Sequence, residues 1–247
     1  MRYFYIEPDA LRKEPVALKG SQLRHIKTVL RLKKGSRICL VDGQGFEYEA
    51  IIGRFLRDRV ELDIADKRPG EKEPPVHISL AQALLKDKKM DRLLRHLCEL
   101  GIARWIPFIC ERSIPIPGKK GLSTRSERWQ KILQESMKQC HRAMLPQIAE
   151  TKSFEDILGF GRNYDLKIVF FENENTSLNE LMPTAGQSPP EKILLLVGPE
   201  GGFTDKEIDM ARAAGFRIIG LGPRILRAET ATIAACTLAQ FLFGDMG

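Results

Sequence analysis

Residues 195–207 read LLVGPEGGFTDKE, and this stretch predicts the local architecture of the C-terminal part of the chain. An apolar run enters a turn with three glycines, which tolerate positive φ and let a ligand approach the backbone. Thr204 and Glu207 have the spacing of a capping box, so a helix is predicted to begin there. Ligands of parallel α/β sheets bind where strands end and helices begin, although a capped glycine turn also occurs without a ligand. The stretch contains neither a Walker loop nor the GxGxxG of a dinucleotide site.

A second glycine turn lies at residues 221–232, which read LGPRILRAETAT. Gly222 and Pro223 end an apolar run, and Glu229-Thr230 opens an alanine-rich helix. The pair Ile225-Leu226 stands between two arginines, where a solvated turn gives apolar side chains nothing to contact. These two side chains therefore either pack against a flat apolar ligand or fill the core beneath the turn.

Short apolar runs alternate with helical patterns after residue 75. The predicted strands are 76–85, 103–109, 167–172, 192–198 and 216–222, and the predicted helices are 87–101, 125–142 and two that begin near Thr204 and Thr230. Such alternation predicts an α/β fold built on a parallel sheet. We expect the strands before the two glycine turns to be adjacent, so that both turns lie at one edge of that sheet.

The N-terminal part has a different pattern, which predicts a small β-barrel. Its strands are predicted at 36–43, 46–55 and 59–65, with Val60, Leu62 and Ile64 alternating with charged residues, and one helix is predicted near Ser21–Leu30. Residues 66–75, DKRPGEKEPP, are rich in charge and proline and indicate a linker. The predicted boundaries are 1–70 for the first domain, 71–75 for the linker and 76–247 for the second domain.

The distribution of charge and the spacing of the cysteines exclude some classes of protein and favour others. The net charge is +7, with the basic excess in the first two thirds of the chain and an acidic excess in the last third. This asymmetry favours a polyanionic partner, the alternative being a basic chain without one. The five cysteines form no CxxC pair, so neither a disulfide framework nor a cysteine zinc site is expected, and free thiols fit the cytoplasm. We expect neither a signal peptide nor a membrane-spanning segment.

The two glycine turns resemble motifs of the SPOUT class of S-adenosylmethionine-dependent RNA methyltransferases. More closely, the chain resembles the ribosomal RNA small subunit methyltransferase E family, whose members methylate N3 of a uracil in 16S rRNA. The resemblance extends over nearly the whole chain. It is carried by GPEGGF, LGPRILRAETA, HIKTVLR (25–31), the block 86–113 with its lysines, Glu-Leu-Gly and Glu-Arg-Ser, and the segment from Arg128-Trp129 to Pro146.

The resemblance implies the fold and the cofactor. It implies a PUA-like β-barrel at 1–70 that binds RNA, and an α/β domain with a trefoil knot around a parallel sheet. S-adenosylmethionine is expected to sit bent in the knot, with two subunits of a homodimer forming the site. The implied cofactor-binding residues are Glu172, Leu196, Val197, Gly198, Pro199, Gly201, Gly202, Leu221, Gly222, Ile225 and Leu226, with Ile225 and Leu226 around the adenine and Glu172 at the ribose.

Three side chains are candidates for catalysis of methyl transfer to N3, whose proton must leave. Arg227 is expected to stabilise negative charge on a uracil carbonyl through charge-assisted hydrogen bonds. Glu200 and Glu229 are candidate proton acceptors. Because Glu229 lies where a helix begins, the helix dipole favours its ionised form, and it is read first as a cap or an acceptor that orients Arg227 or Thr230. Glu200 is then the better base, although a carboxylate beside a glycine loop is as often structural.

Basic residues in two regions are candidate contacts to RNA phosphates, although any one of them is equally a solvated charge. No histidine has the spacing of a metal ligand, so no metal is expected. The candidate RNA-binding residues are Arg24, His25, Lys27 and Arg31 in the first region and Arg112, Arg128, Lys138 and Arg142 in the second.

The expected partner is ribosomal RNA in the assembled small ribosomal subunit. Two other functions stay open from the sequence. One keeps the fold but methylates a ribose 2′-hydroxyl or a tRNA base, and the other is an RNA-binding protein with a vestigial cofactor site.

Overall fold

The structure is a computed structural model of the 247-residue chain. It describes residues 1–86, 88–114, 118–182 and 188–247, and within these ranges the side chains of residues 119–123 are left out of the description. The chain divides into two compact units, each of which is made of two chain segments. Unit 1 comprises Met1–Glu73 and Gln134–Leu145, and unit 2 comprises Pro74–Leu133 and Pro146–Gly247. Residues 134–145, which the predicted boundaries assign to the second domain, thus group with unit 1.

Unit 1 is built on a five-stranded sheet with the strand order β1-β3-β4-β5-β2. The β1–β3 pair is parallel and the other pairs are antiparallel. The helix predicted near residues 21–30 is present as α2 followed by a π-helical turn at His25–Val29. The elements are β1 (Tyr3–Tyr5), α1 (Pro8–Leu11), β2 (Val16–Lys19), α2 (Gly20–Arg24), β3 (Arg37–Val41), β4 (Phe46–Phe55) and β5 (Arg59–Pro69).

The alternating pattern of β5 places its apolar residues in the core of unit 1 only as far as Leu62. Val60 and Leu62 are buried against the side chains of β3 and β4. Ile64, predicted to share their face, is 39% exposed. The pairing of β5 with β4 changes register between Ile64 and Asp66, and such a bulge re-aims the side chains around it. The sheet of unit 1 therefore curls at this point.

Unit 2 is the predicted α/β domain with a parallel sheet. The strand order is β12-β10-β11-β6-β7-β8, with β9 paired to β7, and every pairing is parallel. The strands are β6 (His77–Ala83), β7 (Arg104–Ile109), β8 (Gln147–Ile148), β9 (Lys152–Ser153), β10 (Leu166–Phe170), β11 (Lys192–Val197) and β12 (Arg217–Ile219). The helices are α3 (Lys89–Glu99), α4 (Lys119–Cys140), α5 (Phe154–Phe160), α6 (Asp205–Ala213) and α7 (Ala228–Phe243), and the last part of α4 belongs to unit 1.

The two glycine turns do not follow adjacent strands, contrary to the expectation. They follow β11 and β12, and β10 lies between these two strands. Both turns still lie at the same edge of the sheet, because parallel strands end on one side. The residues that follow β10 therefore enter the space between the two turns.

The helix starts after both turns agree with the sequence. The side chain of Thr204 accepts a hydrogen bond from the N–H of Glu207 at 3.3 Å, and the Glu207 carboxylate accepts the N–H of Thr204 at 2.9 Å, which is the predicted capping box of α6. α7 begins at Ala228, two residues before the predicted Thr230, with Arg227 as its N-cap residue.

No helix within the described ranges is long and apolar enough to cross a membrane. Across the same ranges, no group of three His, Cys, Asp or Glu side chains is placed to hold a metal ion. The trefoil knot that the resemblance implies stays a prediction.

Candidate functional site

A pocket with an empty volume of about 620 Å³ opens where β10, β11 and β12 end in unit 2. Apolar and aromatic side chains dominate its walls, and backbone groups and carboxylates supply polar positions. The pocket is lined by Phe170, Phe171, Glu172, Val197, Gly198, Pro199, Glu200, Gly202, Phe203, Leu221, Gly222, Arg224, Ile225, Leu226, Ala228 and Ala231.

The turn after β11 brings its backbone close to the residue that follows β10. Gly202 has φ +67°, and its N–H donates to the carbonyl of Pro199 at 3.0 Å, which closes the turn. A Cβ built on Gly202 would overlap the carboxylate of Glu172. Glycine is therefore required here for both its backbone conformation and its lack of a side chain.

Arg112 holds this turn from outside the pocket. Its Nη1 donates to the carbonyl of Gly201 at 3.0 Å and to the carbonyl of Phe203 at 3.2 Å. Its predicted role was RNA binding, whereas the structure uses its guanidinium to fix the turn. The sequence could not predict this role, because Arg112 binds backbone carbonyls. Every residue has such a carbonyl, so no residue type marks the contact.

A buried polar pair anchors the start of the same turn. The Gln82 amide, at the end of β6, donates to the carbonyl of Gly198 at 3.2 Å. Its oxygen contacts the hydroxyl of Thr232 in α7 at 2.5 Å, and that hydroxyl also lies 2.7 Å from the carbonyl of Ala228. Both side chains are fully buried, so their hydrogen bonds tie the turn after β11 to the first turn of α7.

The turn after β12 presents its apolar pair to the pocket. Ile225 is 86% exposed, which rules out that it fills the core beneath the turn. Ile225 and Leu226 both line the pocket, as do Gly198, Pro199 and Gly202 of the glycine turn after β11. An exposed isoleucine at a pocket rim provides an apolar surface for a planar ligand group.

Nine of the eleven residues predicted to bind the cofactor line this pocket. Leu196 does not, since its side chain is buried inside the sheet, and Gly201 lies outside the lining set with its carbonyl bound by Arg112. Phe170 and Phe171 line the pocket without having been predicted. They end the apolar run that predicts β10, and only the position of β10 between β11 and β12 shows that they face the site.

The two candidate proton acceptors meet at one lysine. Lys89 Nζ, in the first turn of α3, lies 3.1 Å from Glu200 Oε1 and 3.3 Å from Glu229 Oε2. The backbone N–H of Lys86 also donates to Glu200 Oε1, at 3.2 Å. Lys89 was missed as a site residue, although it belongs to the lysine-rich block that carries part of the resemblance.

The surroundings of Glu200 favour its ionised form. Partial burial of this carboxylate acts to raise its pKa, but hydrogen bonds from its own N–H, from Lys89 and from the N–H of Lys86 outweigh that effect, so the pKa is lowered. The same contacts with Glu200, against partial desolvation, raise the pKa of Lys89. Glu200 is thus a weaker base than its place beside a glycine turn suggests.

Arg227 is exposed at the start of α7, beside the pocket wall formed by Leu226 and Ala228. Among the described residues, no hydrogen bond joins Glu229 to Arg227 or to Thr230; the carboxylate of Glu229 instead faces Lys89. Glu229 therefore does not orient Arg227, contrary to its first interpretation.

The candidate RNA-binding residues divide by exposure. Arg142 is buried, and its Nη2 lies 2.7 Å from Glu73 Oε2, while the other oxygen of Glu73 accepts the N–H groups of Ala143 and Met144. Its prediction as an RNA contact is wrong, because this guanidinium is used inside unit 1. Arg128 is paired with Asp91, and Lys138 with Glu135 at 2.7 Å. The exposed candidates in unit 1 are Arg24, His25, Lys27 and Arg31.

Comparison with known proteins adds to this geometry. A sequence model described as RNA methyltransferase domain matches residues 72–240, and one described as RNA methyltransferase PUA domain matches residues 18–64. A curated relative, ribosomal RNA small subunit methyltransferase E of Buchnera aphidicola subsp. Schizaphis graminum, is 35% identical, with 98% of this chain and 96% of the relative covered. The protein of the same name in Bacillus subtilis is 28% identical, again with 98% of this chain and 96% of the relative covered.

A solved structure has the same fold. The ribosomal RNA small subunit methyltransferase E of Neisseria gonorrhoeae, crystallised bound to S-adenosyl methionine, superposes with a TM-score of 0.86 at 30% identity and covers 100% of each chain. The sequence match, the shared fold and the pocket at the strand ends agree with one another. The chain belongs to the ribosomal RNA small subunit methyltransferase E family of RNA methyltransferases.

Proposed function

We propose that this chain transfers the methyl group of S-adenosylmethionine to N3 of a uridine in 16S rRNA, within the assembled small ribosomal subunit. The observation that carries the proposal is the pocket formed by the ends of β10, β11 and β12, with the Lys89–Glu200–Glu229 cluster and Arg227 beside it. The names of the relatives support ribosomal RNA of the small subunit as the substrate.

The residues of the pocket fit the cofactor. Ile225 and Leu226 offer an apolar wall to a purine ring, and the carboxylate of Glu172 beside Gly202 suits ribose hydroxyls. The bound structure of the Neisseria gonorrhoeae relative supports this choice of cofactor. S-adenosylmethionine supplies an electrophilic methyl group on a sulfonium sulfur.

The reaction breaks the carbon–sulfur bond, forms a carbon–nitrogen bond and releases the proton of N3. We assign Arg227 to a uracil carbonyl, where its guanidinium stabilises the negative charge left when N3 loses that proton. Lys89 contacts both carboxylates and helps to lower the pKa of Glu200, so the ionised Glu200 is able to accept a hydrogen bond or a proton. We assign the proton to Glu200, the carboxylate that also lines the pocket.

The proposed assembly is a homodimer in the cytoplasm. The exposed side chains of Leu238 and Phe241 on α7 support self-association, because large apolar side chains in water favour contact with another surface. The five free cysteines support a reducing compartment. The family matches at 18–64 and 72–240 support the boundaries 1–70 and 76–247 for the two domains, except that residues 134–145 group with unit 1.

Mass spectrometry of rRNA tests the proposed reaction. Small subunits from a strain that lacks this gene are incubated with the protein and S-adenosylmethionine, and 16S rRNA digests are compared before and after. We expect one new methyl group, on the base of a uridine. A methyl group on a ribose, or transfer to tRNA instead of the subunit, overturns the assigned position or substrate.

Thermal melting separates an enzyme from an RNA-binding protein with a vestigial site. A ligand at a hundredfold excess over its Kd stabilises the folded protein by about 2.7 kcal/mol. We expect S-adenosylmethionine to raise Tm accordingly. An unchanged Tm at millimolar ligand would favour the vestigial site.

A further inference from the structure

Unit 1 contains a groove of its own, with an empty volume of about 1030 Å³. We call it the unit 1 groove. Its residues come from β1, from α2 and the π-helical turn after it, and from the last turns of α4. They are Met1, Arg2, Tyr3, Phe4, Ser21, Gln22, His25, Leu30, Glu135, Lys138, Gln139 and His141. All of them belong to unit 1, since Gln134–Leu145 groups with that unit.

Two stacked rings form part of the groove wall. The ring centroids of Tyr3 and His141 are 4.1 Å apart, and their planes are inclined by 16°. His141 has φ +62°, a left-handed conformation in which residues other than glycine are uncommon. Burial, with the charge of Lys72 as a lesser cause, lowers the pKa of His141, so its ring is neutral at physiological pH. A neutral, stacked aromatic pair is a surface on which nucleic-acid bases stack.

The groove also carries positive charge. Arg2 and Lys138 line it, and Lys72 Nζ lies 3.4 Å from His141 Nδ1. Glu135, which pairs with Lys138 at 2.7 Å, is the carboxylate among the lining residues. The surplus of cations beside two aromatic rings suits an anion that contains a planar group, which is the chemistry of a nucleotide.

Unit 1 has a second basic depression, which includes one residue of the π-helical turn. It is lined by Lys27, Leu32, Lys33, Lys34 and Phe55. Lys27 follows His25 of the groove by two residues in the π-helical turn His25–Val29. The lysines of this second depression add positive charge to unit 1 outside the groove, which suits a strand with several phosphates better than a single free nucleotide.

We propose that the unit 1 groove binds an unpaired nucleotide of the RNA substrate, its base stacked on the Tyr3–His141 pair and its backbone followed by the lysines of the second depression. Single-stranded RNA is favoured over a duplex, because a base within a helix is stacked on its neighbours and is not free to contact the rings. The inference rests on the proposed function in that it takes RNA as the substrate.

The test compares His141 variants in binding to a fluorescent single-stranded RNA decamer and to its duplex. His141→Asn removes the ring, and asparagine tolerates positive φ, so the backbone conformation is kept. His141→Phe keeps a ring without the imidazole. We expect His141→Asn to weaken single-strand binding about tenfold, within the range measured for base–aromatic stacking, and His141→Phe to restore most of it. The wild-type protein should bind the duplex more weakly than the single strand.

Three further measurements make the outcome decisive. Lys138→Gln should weaken single-strand binding and reduce its salt dependence, whereas Lys13→Gln, an exposed lysine of unit 1 outside the groove, should do neither. Tm should match the wild type in His141→Asn, Lys138→Gln and Lys13→Gln, and the Tm shift with S-adenosylmethionine should match it in all variants. For methylation of small subunits, His141→Asn should raise KM and leave kcat unchanged.

Full single-strand affinity in His141→Asn, or equal affinity for single strand and duplex, overturns the groove assignment. Failure of the proposed function has a different signature, because the wild-type protein would then bind the decamer but transfer no methyl group to small subunits.

Discussion

Lys89 lies between two carboxylates that the sequence separates from it by more than a hundred residues. Its ammonium group contacts Glu200 from the turn after β11 and Glu229 from the start of α7. One cation therefore holds two carboxylates, of which Glu200 lines the pocket. Arg227 is exposed immediately before α7, next in sequence to Leu226 and Ala228 of the pocket wall.

Arg227→Ala is expected to lose most methyl transfer and keep cofactor binding. The variant removes the group assigned to the uracil carbonyl, and loss of one donor to a developing oxyanion costs about 10²–10³-fold in rate. Single-turnover transfer to small subunits measures the rate, and the Tm shift with S-adenosylmethionine measures binding. Arg162→Ala, which changes an exposed arginine outside the pocket, is the control. Equal turnover by Arg227→Ala and the parent would remove this residue from the mechanism.

Lys89→Met is expected to move the acid limb of the pH–rate profile to higher pH. In the parent, contacts that include Lys89 hold the pKa of Glu200 below its ordinary value, so this carboxylate stays ionised as pH falls. Without the ammonium group, one of the contacts that lower this pKa is lost, so the pKa rises and Glu200 becomes protonated at a higher pH. The measurement is kcat between pH 4 and 8. Lys88→Met is the matched control, since it removes the same charge from the exposed neighbouring residue. Superimposable profiles for Lys89→Met and the parent would contradict the role given to Lys89.

At the scale of elements, three strand ends build the pocket, and the order of the strands determines which residues meet. The turns after β11 and β12 were recognisable from glycine and capping patterns, since these features are local. The position of β10 between β11 and β12 could not be recognised in the same way, because strand order depends on packing between segments that are distant in the sequence. Phe170 and Phe171 could therefore be placed in the site only once the fold was known, whereas Glu172 was already implied by the resemblance.

Gly202→Ala is expected to abolish cofactor binding with a moderate loss of stability. An alanine would be strained at φ +67°, and its Cβ would overlap the carboxylate of Glu172, so the turn must move. Isothermal titration with S-adenosylmethionine and thermal melting measure the two effects. Gly159→Ala is the control, because that glycine lies in α5 with open space around it, and alanine favours a helix. Undiminished affinity in Gly202→Ala would show that the turn after β11 does not contact the ligand.

At the scale of the whole molecule, the fold class and most strands could be predicted from periodicity. The short strands β1, β2, β8 and β9 were not predicted, and neither were the partners of several charges. Arg142 and Arg112 were grouped with RNA-binding residues because their charge was visible and their surroundings were not. In the structure, Arg142 is paired with Glu73, and Arg112 binds two backbone carbonyls. Whether a basic side chain is available to bind RNA depends on the groups that folding places next to it, and the sequence does not show which groups these are.

Phe241→Asp is expected to convert the proposed homodimer into monomers. Phe241 is 56% exposed on α7, and a carboxylate at that position would be desolvated by a partner surface. Light scattering coupled to size exclusion should give half the parent's mass at micromolar concentration. Val29→Asp, at an exposed apolar residue of unit 1, should keep the parent's mass. An unchanged mass for Phe241→Asp would place the dimer interface elsewhere.

Unit 1 takes its last segment, Gln134–Leu145, from beyond most of α4. The N–H of Gly45 binds the carbonyl of Ala143, and Glu73 holds Arg142, so a fragment cut at residue 75 would lose interactions from its own interior. A recombinant protein joined at the proline-rich residues 66–75 would likewise combine the two segments of unit 1 from different parents, although these segments pack together. The two halves of this molecule can be studied apart only after the chain order is rearranged, for example by circular permutation that joins the two segments of unit 1.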